Sequence, residues 1–469
     1  MTKKISGSLF ILILLFYGLI YSILNLDYNT AYHDEALNIL MGRQVLSGQP
    51  CPPCPLSGGT VIIHPVLASL GDSLGGLYGA RTVSLLFGLG LTYIIYLIGK
   101  TIYNQNIGLI AASIFIFTGS TLYLSKLATY DIIAAFFLGL SFLLILLSEK
   151  TQTIHRKNAW LFAGATALFL AAISKYVVPV YIPAISLYVL WKNKLLRTTL
   201  YFLLPLSIFL LLYTYFALYP VKDLIIGSVM GAQEESQVSF STLSSWTFRW
   251  VALPYLLATF GAFHKEKGKT AILFIALSTP IIILHLTTGA EQSVNKNVIH
   301  AIIFLCPAAA IGIDKMGDLF SRGSTTNIVK LFFIISVLFI VWAYGIYELH
   351  WLEKQYPDTS PVVIFFEENG FDGMVVTIDS DYGEATYKYM LDSYYPNAQF
   401  VPIAELARMK NSMNPLYKKP DFVIFDEFYS KKYLHNMALE YMESQYKLIK
   451  TFDIYLSWGT KEVKIFARR

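Results

Sequence analysis

Eleven apolar runs occupy the first 347 of the chain's 469 residues, and they constrain it more than any other feature. They lie near residues 8–24, 77–99, 107–124, 130–147, 159–173, 176–191, 198–217, 246–263, 270–287, 298–313 and 328–347. A helix needs about 20 apolar residues to cross the hydrocarbon core, and inside lipid only a helix or a closed barrel satisfies its own backbone groups. Runs of this length predict an α-helical polytopic membrane protein with about 11 transmembrane helices.

Charge is distributed to match. Residues 349–469 carry 31 of the 67 Asp, Glu, Lys and Arg residues, and the preceding 348 residues carry 36. Residues 1–347 are therefore read as a transmembrane domain and 348–469 as a soluble α/β domain. In the second, Gly373–Asp379, Gln399–Ile403, Asp421–Asp426 and Glu462–Ala467 read as strands, and Gly383–Tyr394 and Lys431–Tyr446 as helices. The net charge of +5 is too small for the basic face that DNA or RNA requires, so nucleic acid is excluded as a partner.

With the N-terminus in the cytoplasm, fourteen Lys and Arg residues, from Lys3 to Arg322, fall in inner loops. Five fall outside: Arg43, Lys126, Lys175, Lys222 and Lys296. That bias follows the positive-inside rule, and an odd number of spans puts the C-terminal domain outside the cytoplasm. No small-residue cleavage site follows the first run, which is read as a retained span and not a signal peptide. Residues 25–76 form a long first outer loop, in which Asp34–Ser47 has the pattern of an interfacial helix with Leu37, Leu40, Met41 and Val45 on one face. Three cysteines are too few for a disulfide framework, and Cys51-Pro-Pro-Cys54 is read as a local loop staple.

Ionisable side chains collect at span ends on the outer side. Asp34 and Glu35 open the interfacial helix, and His64-Pro65 ends the loop. Asp131 opens the fourth span, Lys175 separates the fifth from the sixth, and Lys296, Asn297 and His300 open the tenth. An ionisable group beside hydrocarbon is costly unless paired or wetted, so a one-sided collection predicts a shared polar cavity at the outer leaflet. Plainer readings stand beside this one: Asp34 and Glu35 suit helix capping, and Lys126 and Lys222 suit snorkelling to the interface. In a shared cavity, a carboxylate can take a proton from an acceptor hydroxyl. Lys, Arg and His, with or without a divalent metal (Mg, Mn or Zn), can neutralise a phosphate leaving group.

The order of Tyr32-His33-Asp34-Glu35-Ala36, Arg43 in the interfacial helix, His64-Pro65, Tyr130-Asp131 and Ser174-Lys175 resembles the GT-C membrane glycosyltransferases. Within them it is most similar to the dolichyl-phosphate-mannose protein mannosyltransferases and the bacterial lipid A aminoarabinose transferase. The resemblance runs over residues 1–347 and implies transfer of a sugar from a polyprenyl-phosphate carrier to a protein, lipid or glycan on the outer face. It makes Asp34 the acid that activates the acceptor, Glu35 its partner and Asp131 the second acid. His64, Lys175, Lys296, His300 and Arg43 are turned by it toward the donor phosphate, and Asp34, Asp131 and His64 toward a metal. Leu37 stands where the aminoarabinose transferases have Arg, so that branch's substrate is not carried over. A transporter or lipid flippase is the competing class; there, charged groups sit near the midplane of broken helices instead of at one face.

Overall fold

The computed structural model describes residues 2–48, 58–222, 238–289, 293–320, 327–370, 375–379, 383–392, 395, 397–402, 420–427, 446–456 and 459–468. Cys51, Cys54 and residues 431–445 of the expected last helix lie outside these. The chain forms two units, residues 1–26 with 44–349 and residues 27–43 with 350–469. Residues 27–43, read from the sequence as part of the membrane domain's first loop, group with the C-terminal residues instead.

All eleven apolar runs fall on helical segments. In chain order the helices are α1 (Thr2–Ile23), α2 (His33–Leu46), α3 (His64–Ile102), α4 (Gln105–Phe117), α5 (Gly119–Lys126), α6 (Tyr130–Lys150) and α7 (Ile154–Ser174). They continue as α8 (Tyr181–Lys192), α9 (Leu195–Leu218), α10 (Phe240–Ala262), α11 (Gly268–Thr288), α12 (Ile299–Phe320) and α13 (Asn327–Glu353). Among the described residues seven helices are long and apolar enough to cross a bilayer, or eight if α4 and α5 are one bent span. The eleven predicted crossings exceed this number because some runs are short or mixed. Leu12–Ile23 and Val178–Lys192 are shorter, and α10 is interrupted by Arg249 and several hydroxyl side chains.

Two departures from the expected boundaries bear on the site. Helix α3 has an unforeseen first piece from His64, where Pro65 fits a first turn whose N–H groups have no intrahelical acceptor, and the expected span from residue 77 follows its break. It kinks at Gly75 and Gly76, where Gly76 takes a φ of +59° that favours glycine. Between α4 and α5 the chain bends by 66°. There the Gly119 N–H, freed by the break, donates to the buried Glu348 carboxylate of α13 at 3.2 Å. This contact sets the direction of α5, which leads through Thr129 to Asp131.

Helix α12 is the axis of the first unit, packed against α10, α11, α4 and α6. Residues 296–313 are buried without interruption. Ala308 and Gly312 meet Gly261 and Leu257 of α10 at backbone distance, as small residues permit between membrane helices.

The second unit holds α14 (Ser360–Asn369), β1 (Val375–Asp379), α15 (Gly383–Asp392), β2 (Gln399–Pro402), β3 (Phe422–Asp426), β4 (Tyr446–Leu456) and β5 (Gly459–Arg468). The sheet order is β2-β1-β3-β5-β4, parallel across β2, β1 and β3 and antiparallel from β3 onward. Central β3 is covered on both faces, with Ile424 against Val362, Phe366, Tyr387 and Leu391, and Val423 and Phe425 against Tyr446 and Phe466. Strand β4 was not foreseen. It is an edge strand with most side chains exposed, so it lacks the alternation that burial of one face imposes.

Candidate active site

Asp131, in the first turn of α6, accepts from the Thr129 hydroxyl at 2.6 Å through Oδ2 and forms an ion pair with Lys175 through Oδ1. Lys175 follows the last residue of α7, whose last-turn carbonyl of Ala171 accepts from the Lys175 N–H. A cation at a helix C-terminus also faces the negative end of its dipole. Both residues are buried, and the Lys175 ammonium lies 5.8 Å from the centre of the Tyr130 ring. The end of the first loop closes over this pair: Thr60 N–H donates to Ile173 O and Tyr176 N–H to Gly58 O. A Cβ at Gly59 would overlap the Ser174 carbonyl, so that position requires glycine, and one at Gly58 would meet the Tyr130 hydroxyl.

Three further residues from other helices share the field of this pair. The Lys296 ammonium acts electrostatically on Asp131, and Asp131 acts on His64, the first residue of α3. His300, in the first turn of α12, feels both Lys175 and Asp131. All three are buried. Lys296 and Asn297 belong to a single helical turn, Val294–Asn297, that precedes α12. Among the described residues the outcome is a buried cluster at one end of the helix bundle with two ammonium groups and one carboxylate, a net positive charge suited to an anion.

The other expected site residues belong to the second unit. Glu35 is fully buried, and its carboxylate accepts from the Tyr32 N–H at 3.0 Å while Tyr32 O accepts from Ala36 N–H. Glu35 thus closes the N-terminus of α2 in the manner of a capping box, and Asp34 lies inside the first turn and is not the cap. The face of α2 that is buried holds Ala36, Asn38, Ile39, Met41 and Gly42, so of the predicted face Met41 is buried and Leu37, Leu40 and Val45 are only half covered. Arg43 has partners within the second unit. It pairs with Asp392 at 3.4 Å and lies 5.4 Å over the Tyr389 ring of α15.

Lys126 corrects a second expectation. Instead of snorkelling it is fully buried, its ammonium 5.5 Å over the Tyr21 ring. His285, at the end of α11, was missed; its Nε2 lies 3.0 Å from Asn297 Nδ2. A histidine in the last turn of an apolar run, on the same side as the other candidates, was the available signal.

Both oxygens of Asp131 are engaged by Lys175 and Thr129, and Asp34 is in the other unit. Among the described residues, the cluster of three potential ligands is His264, Asp314 and Asp318, and there Asp314 is paired with Lys267 and Lys330.

Residues 72–221 match the dolichyl-phosphate-mannose-protein mannosyltransferase family. The chain superposes on ArnT from Cupriavidus metallidurans bound to undecaprenyl phosphate with a TM-score of 0.63, at 12% identity and over 97% of each chain. The fold is that of the GT-C membrane glycosyltransferases. Archaeoglobus fulgidus AglB, an oligosaccharyltransferase solved with an inhibitory peptide and a dolichol-phosphate, aligns with 100% of this chain and 74% of its own at 11% identity and a TM-score of 0.58. The arabinofuranosyltransferase AftD from Mycobacteria aligns with 97% of this chain and 40% of its own, at 12% identity and a TM-score of 0.53. No curated protein sequence matches. The ends of α3, α6, α7 and α12 bring His64, Asp131, Lys175 and His300 together.

Lys296→Ala is expected to weaken binding of undecaprenyl phosphate by about 1.5–3 kcal/mol, the range for a hydrogen bond to a charged group. Unchanged affinity in a folded variant, measured by titration in detergent, would assign Lys296 to packing.

Proposed function

We propose that the protein transfers a sugar from a polyprenyl-phosphate carrier to a protein, lipid or glycan acceptor on the outer face of the membrane. The observation that carries this reading is the buried, net-positive group of Lys175, Lys296 and Asp131 at one end of a GT-C bundle. Such a cluster serves an anion that arrives within the membrane, and the structural relatives include proteins solved with undecaprenyl phosphate and with dolichol-phosphate.

In the reaction, the acceptor hydroxyl oxygen forms a bond to the sugar's anomeric carbon, and the bond from that carbon to the phosphate oxygen breaks. The electron pair leaves with the polyprenyl phosphate, whose growing negative charge Lys175 and Lys296 stabilise. Asp34 takes the acceptor's proton. Asp131 holds Lys175 in place, and Thr129 holds Asp131.

Mass spectrometry of glycoproteins, glycolipids and surface polysaccharide from cells with and without the protein tests the reading. Loss of one sugar modification is expected; identical glycan profiles would overturn it. The loop bias further predicts that the C-terminal unit faces outward. A cysteine introduced at the exposed Tyr455 is expected to react with an impermeant maleimide in intact cells. Labelling only after lysis would reverse the orientation.

A further inference from the structure

Asn297 and His300 stand three residues apart at the entrance to α12, and their hydrogen bonds determine what else they can hold. His300 Nδ1 is 2.9 Å from the carbonyl oxygen of Asn297. A carbonyl only accepts, so Nδ1 carries the proton and the neutral ring keeps its lone pair on Nε2. Asn297 Nδ2 lies 3.0 Å from His285 Nε2, which makes the amide nitrogen the donor and leaves Oδ1 as an acceptor. His300 Nε2 and Asn297 Oδ1 are both buried without a hydrogen-bond partner among the described residues. The two residues are 0% and 5% exposed. A buried acceptor left unsatisfied costs about 1–3 kcal/mol, so two of them call for a ligand that brings hydrogen-bond donors.

Phosphate oxygens are acceptors and would be repelled by these lone pairs. Sugar hydroxyls are donors and would satisfy them. We infer that Asn297 and His300 bind hydroxyl groups of the lipid-linked sugar, while Lys175 and Lys296 bind its phosphate. The inference rests on the proposed transfer from a polyprenyl-phosphate sugar and revises the role that the sequence assigned to His300. His285 acts as a positioning residue, holding the Asn297 amide so that its oxygen is presented. Division of the site in this way also favours turnover: once the sugar has left, the bare polyprenyl phosphate has lost the Asn297 and His300 contacts and dissociates more readily.

The test measures binding of undecaprenyl phosphate and of its mannosyl, glucosyl and arabinosyl derivatives to the full chain in detergent. Wild-type protein is expected to prefer one sugar-linked form over the bare lipid by about ten-fold or more, and His300→Ala and Asn297→Ala each to remove about ten-fold of that preference. Affinity for bare undecaprenyl phosphate should stay within about two-fold, since its phosphate contacts are elsewhere. If His300→Ala does not fold, Asn297→Ala reads the same preference, and His300→Gln, which keeps an acceptor, is expected to retain part of it. Equal loss of bare and sugar-linked lipid would return both residues to phosphate binding. No wild-type preference for any sugar form, or a preference unchanged in the variants, would also overturn the inference. Failure of the wild type to bind any of the four lipids would instead overturn the proposed function.

Discussion

Asp34→Asn protein should fold normally and lose about 100-fold or more in transfer rate, the scale of a missing general base. The substitution keeps the shape of the side chain and removes only its ability to take a proton. Helix α2 should be indifferent to it, because its N-terminus is closed by the Glu35 carboxylate on Tyr32 N–H and by the Tyr32 carbonyl on Ala36 N–H. The Asn38 amide bonds to the main-chain carbonyl of residue 34, which the change leaves in place. Purified Asp34→Asn protein that transfers sugar at the wild-type rate would remove Asp34 from the chemistry.

Lys175→Met should destabilise the membrane unit by about 3–5 kcal/mol, because it leaves the buried Asp131 carboxylate without its ion-pair partner. Replacing both residues removes the uncompensated charge as well. The double variant Lys175→Met/Asp131→Leu is therefore expected to regain most of the lost stability, since a well-packed apolar pair often equals a buried ion pair. Transfer should stay abolished, because the phosphate contact proposed for the Lys175 ammonium is gone. Thermal unfolding of the three proteins in the same detergent decides the point. A double variant no more stable than Lys175→Met would show that the two residues are not coupled.

Much of the candidate site was legible because charged residues are scarce in a membrane chain. Asp131, Lys175, Lys296 and His300 each stand at the end of an apolar run, where an ionisable side chain needs a reason, and His64 stands in the loop before one. Arg43 stands inside the interfacial helix, and only the family resemblance turns it toward the phosphate; its partners Asp392 and Tyr389 lie about 350 residues further along the chain, beyond the reach of any local pattern. Lys126 was misread for a related reason. A lysine at the end of an apolar run looks alike whether it reaches water or lies over a tyrosine ring, and only the neighbouring α1 decides between them.

The sequence by itself determined that the chain crosses the membrane several times and ends in a small α/β domain. Those properties follow from interactions that are local along the chain: a run in lipid must close its own hydrogen bonds, and a strand with one buried face must alternate. Tertiary structure alone decided which run ends meet. The pairing of Asp131 with Lys175, the contact of His285 with Asn297, the Glu348 cap on the broken α4 and α5, and the grouping of residues 27–43 with the C-terminal unit all join distant parts of the chain. Membrane helices are apolar around most of their circumference, so hydropathy does not say which face turns inward. Close packing and the partners of a few buried polar groups select that face, and both depend on neighbours that only the folded chain supplies.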